Sequence, residues 1–270
     1  MRNIALVLVV LSILNMTGFA QEPVGESHST PALLFERGMS ALTGSAASRN
    51  DVEAVSLVRR AAEQGYAPAQ YVMGYWSEIG FNMPRDSRHA ADWYRKSGDQ
   101  GDRVAQWALG RFYYIGEGVP RDFASAETWL NKSASSGDPL AQYLLGLVKE
   151  ERSPGSGIDP LRKAAEQGIS HAQYKYGLLL KQGRGTSTDR FEAYIWLLLS
   201  FEAGMAPAGE HLRELEAQLG TTNTEKAKVE ARSRKNRVSR SILANGCSGW
   251  SGELDQIPSP PPPDVHQFCR

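Results

Sequence analysis

Cysteine is nearly absent. The chain has two, Cys247 and Cys269, both close to the C-terminus and not in Cys-x-x-Cys spacing, so a thiol redox role finds no support. The five histidines (His28, His89, His171, His211, His266) stand singly, without the i,i+4 pairing or carboxylate spacing of a metal site. Gly-x-Ser-x-Gly, Ser-x-x-Lys and phosphate-binding glycine loops are missing as well, so no catalytic residue, metal or cofactor is assigned and the chain reads as a non-enzyme. Charge of one sign is lacking too: 30 Lys and Arg face 30 Asp and Glu, which argues against nucleic acid as a ligand. Beyond the N-terminus, the longest apolar candidate is Ile195 to Leu199, far below the ~20 residues of a membrane-spanning helix.

What is present begins with an export signal. Met1-Arg2-Asn3 is a short positive start, Ile4 to Leu14 is apolar apart from Ser12, and Gly18-Phe19-Ala20 places small residues before Gln21. Cleavage after Ala20 is expected, giving a periplasmic or secreted chain that is not an integral membrane protein. Residues 21–30 then read as a linker.

Self-comparison carries the strongest signal. Ala69-Gln70-Tyr71-Val72-Met73-Gly74, Ala105-Gln106-Trp107-Ala108-Leu109-Gly110 and Ala141-Gln142-Tyr143-Leu144-Leu145-Gly146 are spaced 36 residues apart, and Ala172-Gln173-Tyr174-Lys175-Tyr176-Gly177 follows after 31. Trp93, Trp129 and Trp196 keep the same register. Each unit reads as two helices. In the best copy Asp102 caps a helix carrying Ala105, Leu109, Phe112 and Tyr113 on one face. Gly116 to Pro120 form the turn, and Asp122 caps a second helix that closes near Gly137.

The pattern Ala-x-x-x-Leu-Gly, Gly-x-Gly-Val-Pro-x-Asp, Ala-x-x-Trp and a closing Ala-x-x-Gly resembles the Sel1-like repeat, a relative of the tetratricopeptide repeat. The resemblance implies an all-α, right-handed α-solenoid of helix-turn-helix repeats from a bacterial exported protein. Repeats are expected at 66–101, 102–137, 138–168 and 169–204. Residues 31–65 form a divergent first repeat, with Thr30 as N-cap and Pro31 at N1 but without the Leu-Gly signature. Capping helices follow over 205–245: one over 206–219, then one opened by a Thr222/Glu225 capping box. Residues 246–270 make a proline-rich tail in which Cys247 and Cys269 are expected to form a structural disulfide. Some secreted Sel1-like proteins with a cysteine pair in each repeat are linked to penicillin binding and lactam hydrolysis. The repeats here contain no cysteine, so that activity is not carried over.

Two features are candidates for binding. The aligned pairs Gln70/Tyr71, Gln106/Trp107, Gln142/Tyr143 and Gln173/Tyr174 either line a ligand groove or are the packing consensus of the repeat. Their neighbours Tyr75, Trp76, Arg111 and Tyr114 vary between repeats and suit selectivity. The basic run Lys226, Lys228, Arg232, Arg234, Lys235, Arg237 and Arg240, opposed only by Glu230, either solvates a capping helix or docks on an anionic surface. The leading expectation is an envelope scaffold for a protein or peptide partner. The alternatives are a peptidoglycan or polysaccharide binder and, more remotely, a hydrolase with an unrecognised site.

Overall fold

The computed structural model describes residues 30–43 and 49–244, with side chains through residue 237. The expected signal peptide and the Cys247/Cys269 bridge lie outside the described residues. Among the described residues there are helices and no strands: α1 (Pro31–Thr43), α2 (Asp51–Glu63), α3 (Ala67–Ile79), α4 (Ser87–Asp99), α5 (Arg103–Ile115), α6 (Phe123–Ala134), α7 (Pro139–Arg152), α8 (Ile158–Glu166), α9 (Ser170–Gln182), α10 (Arg190–Glu202) and α11 (Ala208–Ala244). No described helix is long and apolar enough to cross a membrane. The chain divides into two compact units. One runs to Phe112 and includes Gly116–Pro120; the other holds Tyr113–Ile115 and continues from Arg121.

Helix starts are set by short polar side chains that take the first free backbone N–H groups. Asp86 accepts from His89, Asp102 from Val104 and Ala105, Asp122 from Ala124, Asp138 from Leu140 and Ala141, and Asp189 from Glu192. Thr30 accepts from the Leu33 N–H at 3.3 Å, so α1 opens where its Thr-Pro start predicts. The shortened turn after α7 is held by a different device. Glu150 turns back and accepts from the Gly155 and Gly157 N–H groups at 3.0 and 2.8 Å.

A glycine in α1, α3, α7 and α9 lets the second helix of the pair come close. A Cβ at Gly74 would stand 2.6 Å from the Tyr94 ring, and one at Gly146 or Gly177 would stand 2.5 or 2.8 Å from Leu161 or Leu197. Gly38 does the same in α1, 2.7 Å from Val58. The first repeat therefore keeps the glycine half of the signature that seemed missing, and loses only the leucine, which is Arg37. Tyr94, Phe112 and Met73 are fully buried in the first unit; Tyr194, Ile195, Leu197 and Leu215 are fully buried in the second.

The C-terminal helices differ from expectation at their junction. The break is a single residue, Gly220, at φ 74° and ψ 166°. Helix resumes at Thr221, so Thr222 lies within the first turn and opens no capping box. Glycine adopts this left-handed φ at little cost and so breaks the helix there without a separate cap. Ala227 and Ala231 are buried on the inner face of this second segment.

Candidate functional site

The aligned glutamines are buried, between 5% and 7% exposed, and their carboxamides are committed. Gln70, Gln106 and Gln173 donate to the carbonyls of Ala62, Gly98 and Ala165 at 3.1, 2.9 and 3.2 Å. Each acceptor lies in the last turn of the preceding second helix. It also accepts from the backbone N–H of the glycine three residues on (Gly65, Gly101 or Gly168) at 3.0 Å, so the carboxamide adds a second bond to a carbonyl at the helix end. Gln100 and Gln167, the residues just after those helices, donate in turn to Gln70 and Gln142 at 2.7 Å. Gln70, Gln106 and Gln173 are thus C-terminal caps that staple one repeat to the next, and Gln142 is held as the acceptor of Gln167. The glutamine row does not line a groove, and the constant eight-residue spacing to the closing Ala or Gly was the signal for this role.

The aromatic partners divide. Tyr71 and Trp107 are 4% exposed, whereas Tyr143 and Tyr174 are half-buried. Tyr143 lies 6.2 Å from His171 and Tyr174 lies 6.1 Å from His211, both by ring centroids. Burial, with the Tyr114 phenol nearby, pushes the Tyr143 phenol up to about 12. Tyr75 and Tyr114 are half-buried as well. Tyr114 is framed by Phe123 at 5.9 Å and by Arg121, which donates through Nε–H to the Tyr114 carbonyl at 3.0 Å and lies over the Phe123 ring.

Arg111 is not available at the surface. It is 3% exposed and pairs with Glu78, itself 4% exposed, at 2.5 Å. Tyr94 donates to the other Glu78 oxygen at 2.7 Å. Glu117 stands 3.7 Å from Arg111 and takes bonds from Arg85 and Ser87 at 2.7 and 2.9 Å. Burial raises the Glu78 carboxyl above its ordinary range, against the opposing pull of Arg111 and the Tyr94 hydroxyl. Glu78, Tyr94 and Glu117 escape a sequence reading because the pairing is out of register. Arg111 lies 33 residues after Glu78, whereas the repeat spacing is 36.

The basic run is largely spent within the molecule. Arg234 makes a bidentate pair with Glu192 at 2.7 Å to each oxygen and a third bond to Glu230 at 2.9 Å. Lys235 reaches Glu202, Arg237 reaches Glu230 and Lys228 reaches Glu225. Lys226 and Arg232 are exposed, and the Arg240 side chain is outside the described residues. The pairs with Glu192 and Glu202 dock α11 on α10, and the others lie within α11.

The tryptophan series shows a related substitution. Lys96 lies 4.2 Å over Trp93 and Lys132 lies 3.9 Å over Trp129, each one helical turn on. In α10 that register is Leu199, and Arg234 of α11 supplies the cation over Trp196 at 5.2 Å instead. Among the described residues, no group of three or more His, Cys, Asp or Glu could hold a metal ion.

The profile of the Sel1 repeat matches residues 34–66, 67–102, 103–138, 139–169 and 170–205. The fold is similar to that of c5321, a protective antigen present in uropathogenic Escherichia coli strains and displaying an SLR fold, with TM-score 0.66 and 27% identity over 80% of this chain and 50% of that one. It is also similar to a Sel1 repeat protein from Oxalobacter formigenes, with TM-score 0.56 and 31% identity over 69% of this chain and 56% of that one. The chain thus spans about half the length of these solved relatives. No curated protein sequence matches it.

Proposed function

Because the chain belongs to the Sel1 repeat family, an all-α solenoid class whose members generally mediate protein–protein interaction, we propose that it is a non-enzymatic scaffold of the bacterial cell envelope that holds a protein or peptide partner. The observation that carries this reading is the contrast between two sets of first-helix positions. The repeated Ala, Gln and Gly positions are sealed in packing, while Tyr143 and Tyr174 are only half-buried, beside His171 and His211. Half-buried rings of this kind give contact area at low entropic cost and keep a polar group for orientation.

Location in the envelope is supported by the apolar run and small-residue site before Gln21. A protein partner is preferred over an anionic wall polymer because much of the basic run already answers acidic side chains of α10 and α11. The test is selection of peptides on the exported chain, followed by Tyr143→Ala and Tyr174→Ala. Loss of binding by at least tenfold, with unchanged circular dichroism, supports the scaffold reading; unchanged binding in both variants overturns this surface. An N-terminus at Gln21 on protein recovered from the periplasm supports the location, and an intact Met1 overturns it.

A further inference from the structure

Two half-buried ring pairs recur in the second unit at one geometry. Tyr143 of α7 stands 6.2 Å from His171 of α9, and Tyr174 of α9 stands 6.1 Å from His211 of α11. Leu147 and Leu178, also half-buried, lie one helical turn beyond each tyrosine. The two Tyr-Leu sets are 31 residues apart, so the second restates the first one repeat further along. In the same unit the buried Tyr194 hydroxyl donates to Glu216 at 2.7 Å. The hydroxyls of Tyr143 and Tyr174 have no such partner among the described residues. A third donor is set by Lys181, which donates to His211 Nδ1 at 3.2 Å. An ammonium can only donate, so Nδ1 accepts and the imidazole keeps its proton on Nε2. Lys181 is itself paired with Glu214, and the exposed Lys175 lies about 100° round α9 from Tyr174. Beside these rings, then, stand aliphatic carbon and neutral O–H and N–H donors, without an ion left to answer.

We propose that this face takes a neutral, proline-rich segment of the partner in the polyproline II conformation, one turn of it on each Tyr-His pair. The assignment rests on the scaffold reading above and names the partner's chemistry. Charge selects a neutral segment, because a charged one finds no counter-ion beside the rings. Hydrogen bonding selects the conformation. Polyproline II carbonyls have no internal donor, so they can accept from His211 Nε2–H and the tyrosine hydroxyls, whereas an α-helix spends its carbonyls within itself. The period agrees. Packed neighbouring helices stand about 8–10 Å apart, and a polyproline II turn of three residues advances about 9 Å. A β-strand returns to the same face every ~7 Å and is out of step by the second pair. Such a segment also arrives already ordered, so little entropy is lost when it meets the rings.

Fluorescence anisotropy of labelled proline oligomers on the full chain tests the assignment. Hexaproline, two turns long, should bind at least tenfold tighter than triproline, which fills one pair. Tyr143→Ala and Tyr174→Ala should each bring hexaproline down to the affinity of triproline, with unchanged circular dichroism. His211→Phe keeps a ring, removes the donor and should weaken hexaproline about fivefold. Hexaproline no tighter than triproline, or His211→Phe equal to wild type, overturns the paired geometry. If no proline oligomer binds while other selected peptides still depend on Tyr143 and Tyr174, the proline assignment falls and the scaffold reading stands. If no peptide of either kind depends on these tyrosines, both fall.

Discussion

Two ion pairs of like chemistry hold the two units in different ways. In the first unit Glu78 and Arg111 meet with side chains 3% and 4% exposed, tied to Tyr94 and Glu117. In the second, Arg234 and Glu192 meet with side chains 20% and 32% exposed, over the Trp196 ring. The buried pair loses most of its hydration, so its mutual attraction mainly offsets its own desolvation. Its contribution is selectivity: only a carboxylate on α3 and a guanidinium on α5 satisfy each other there. The partly exposed pair keeps more hydration and acts as a plain anchor for α11 on α10. Burial therefore decides which pair suffers most from the loss of one partner, although the outer one has the better bidentate geometry.

The comparison is broken most directly by Arg111→Met. It leaves Glu78 buried without its cation and should cost about 3–5 kcal/mol in urea unfolding. Adding Glu78→Leu should recover part of that loss, because an apolar pair replaces the charges while the buried Tyr94 hydroxyl loses its acceptor. A double variant as unstable as the single one would show that the pair stabilises on its own account.

Next in size is overpacking at one register in both units. Gly74→Ala meets the buried Tyr94 ring, and Gly177→Ala meets Leu197. Each should cost about 1–3 kcal/mol, with Gly74 the larger because the buried Tyr94 ring is rigid and bonded to Glu78. Arg234→Ala should cost about 1–2 kcal/mol. Unlike Arg111→Met, its effect should shrink in high salt, since partly exposed pairs are screened. Lys235→Ala, which removes an exposed pair with Glu202, should change stability by less than about 0.5 kcal/mol.

The two regions also titrate with opposite sign. The folded carboxyl of Glu78 is raised above its ordinary value near 4.5, so the folded state binds this proton at a higher pH than the unfolded chain. Its contribution therefore becomes more favourable as pH falls toward 4.5. Hydrogen bonds from Arg234 and Arg237 lower Glu230, whose contribution is present above 4.5 and lost as pH falls through the lowered value. Glu78→Gln should remove the first slope and Glu230→Gln the second, measured as unfolding free energy against pH.

Much of this architecture was readable before any coordinates. The Asp caps, the turn glycines and the Trp register all follow from local chemistry repeated every 36 residues. The Thr222 capping box failed because Gly220 breaks the helix by itself, through a backbone conformation that competes with a side-chain cap. The glutamine row was seen, but its direction was not, since a Gln-aromatic pair looks the same whether it faces a ligand or a carbonyl eight residues earlier. Arg111 stands out in the sequence because it varies among repeats, yet that variation serves a buried partner, Glu78.

The amino-acid order by itself determined the helix pairs, their caps and their spacing, because each depends on residues within one or two turns. Tertiary structure alone decided which polar side chains are spent and which remain at the surface. Glu78 finds Arg111 across 33 residues, and Arg234 finds Glu192 across 42. Such pairings depend on packing distance and desolvation, which no local pattern records.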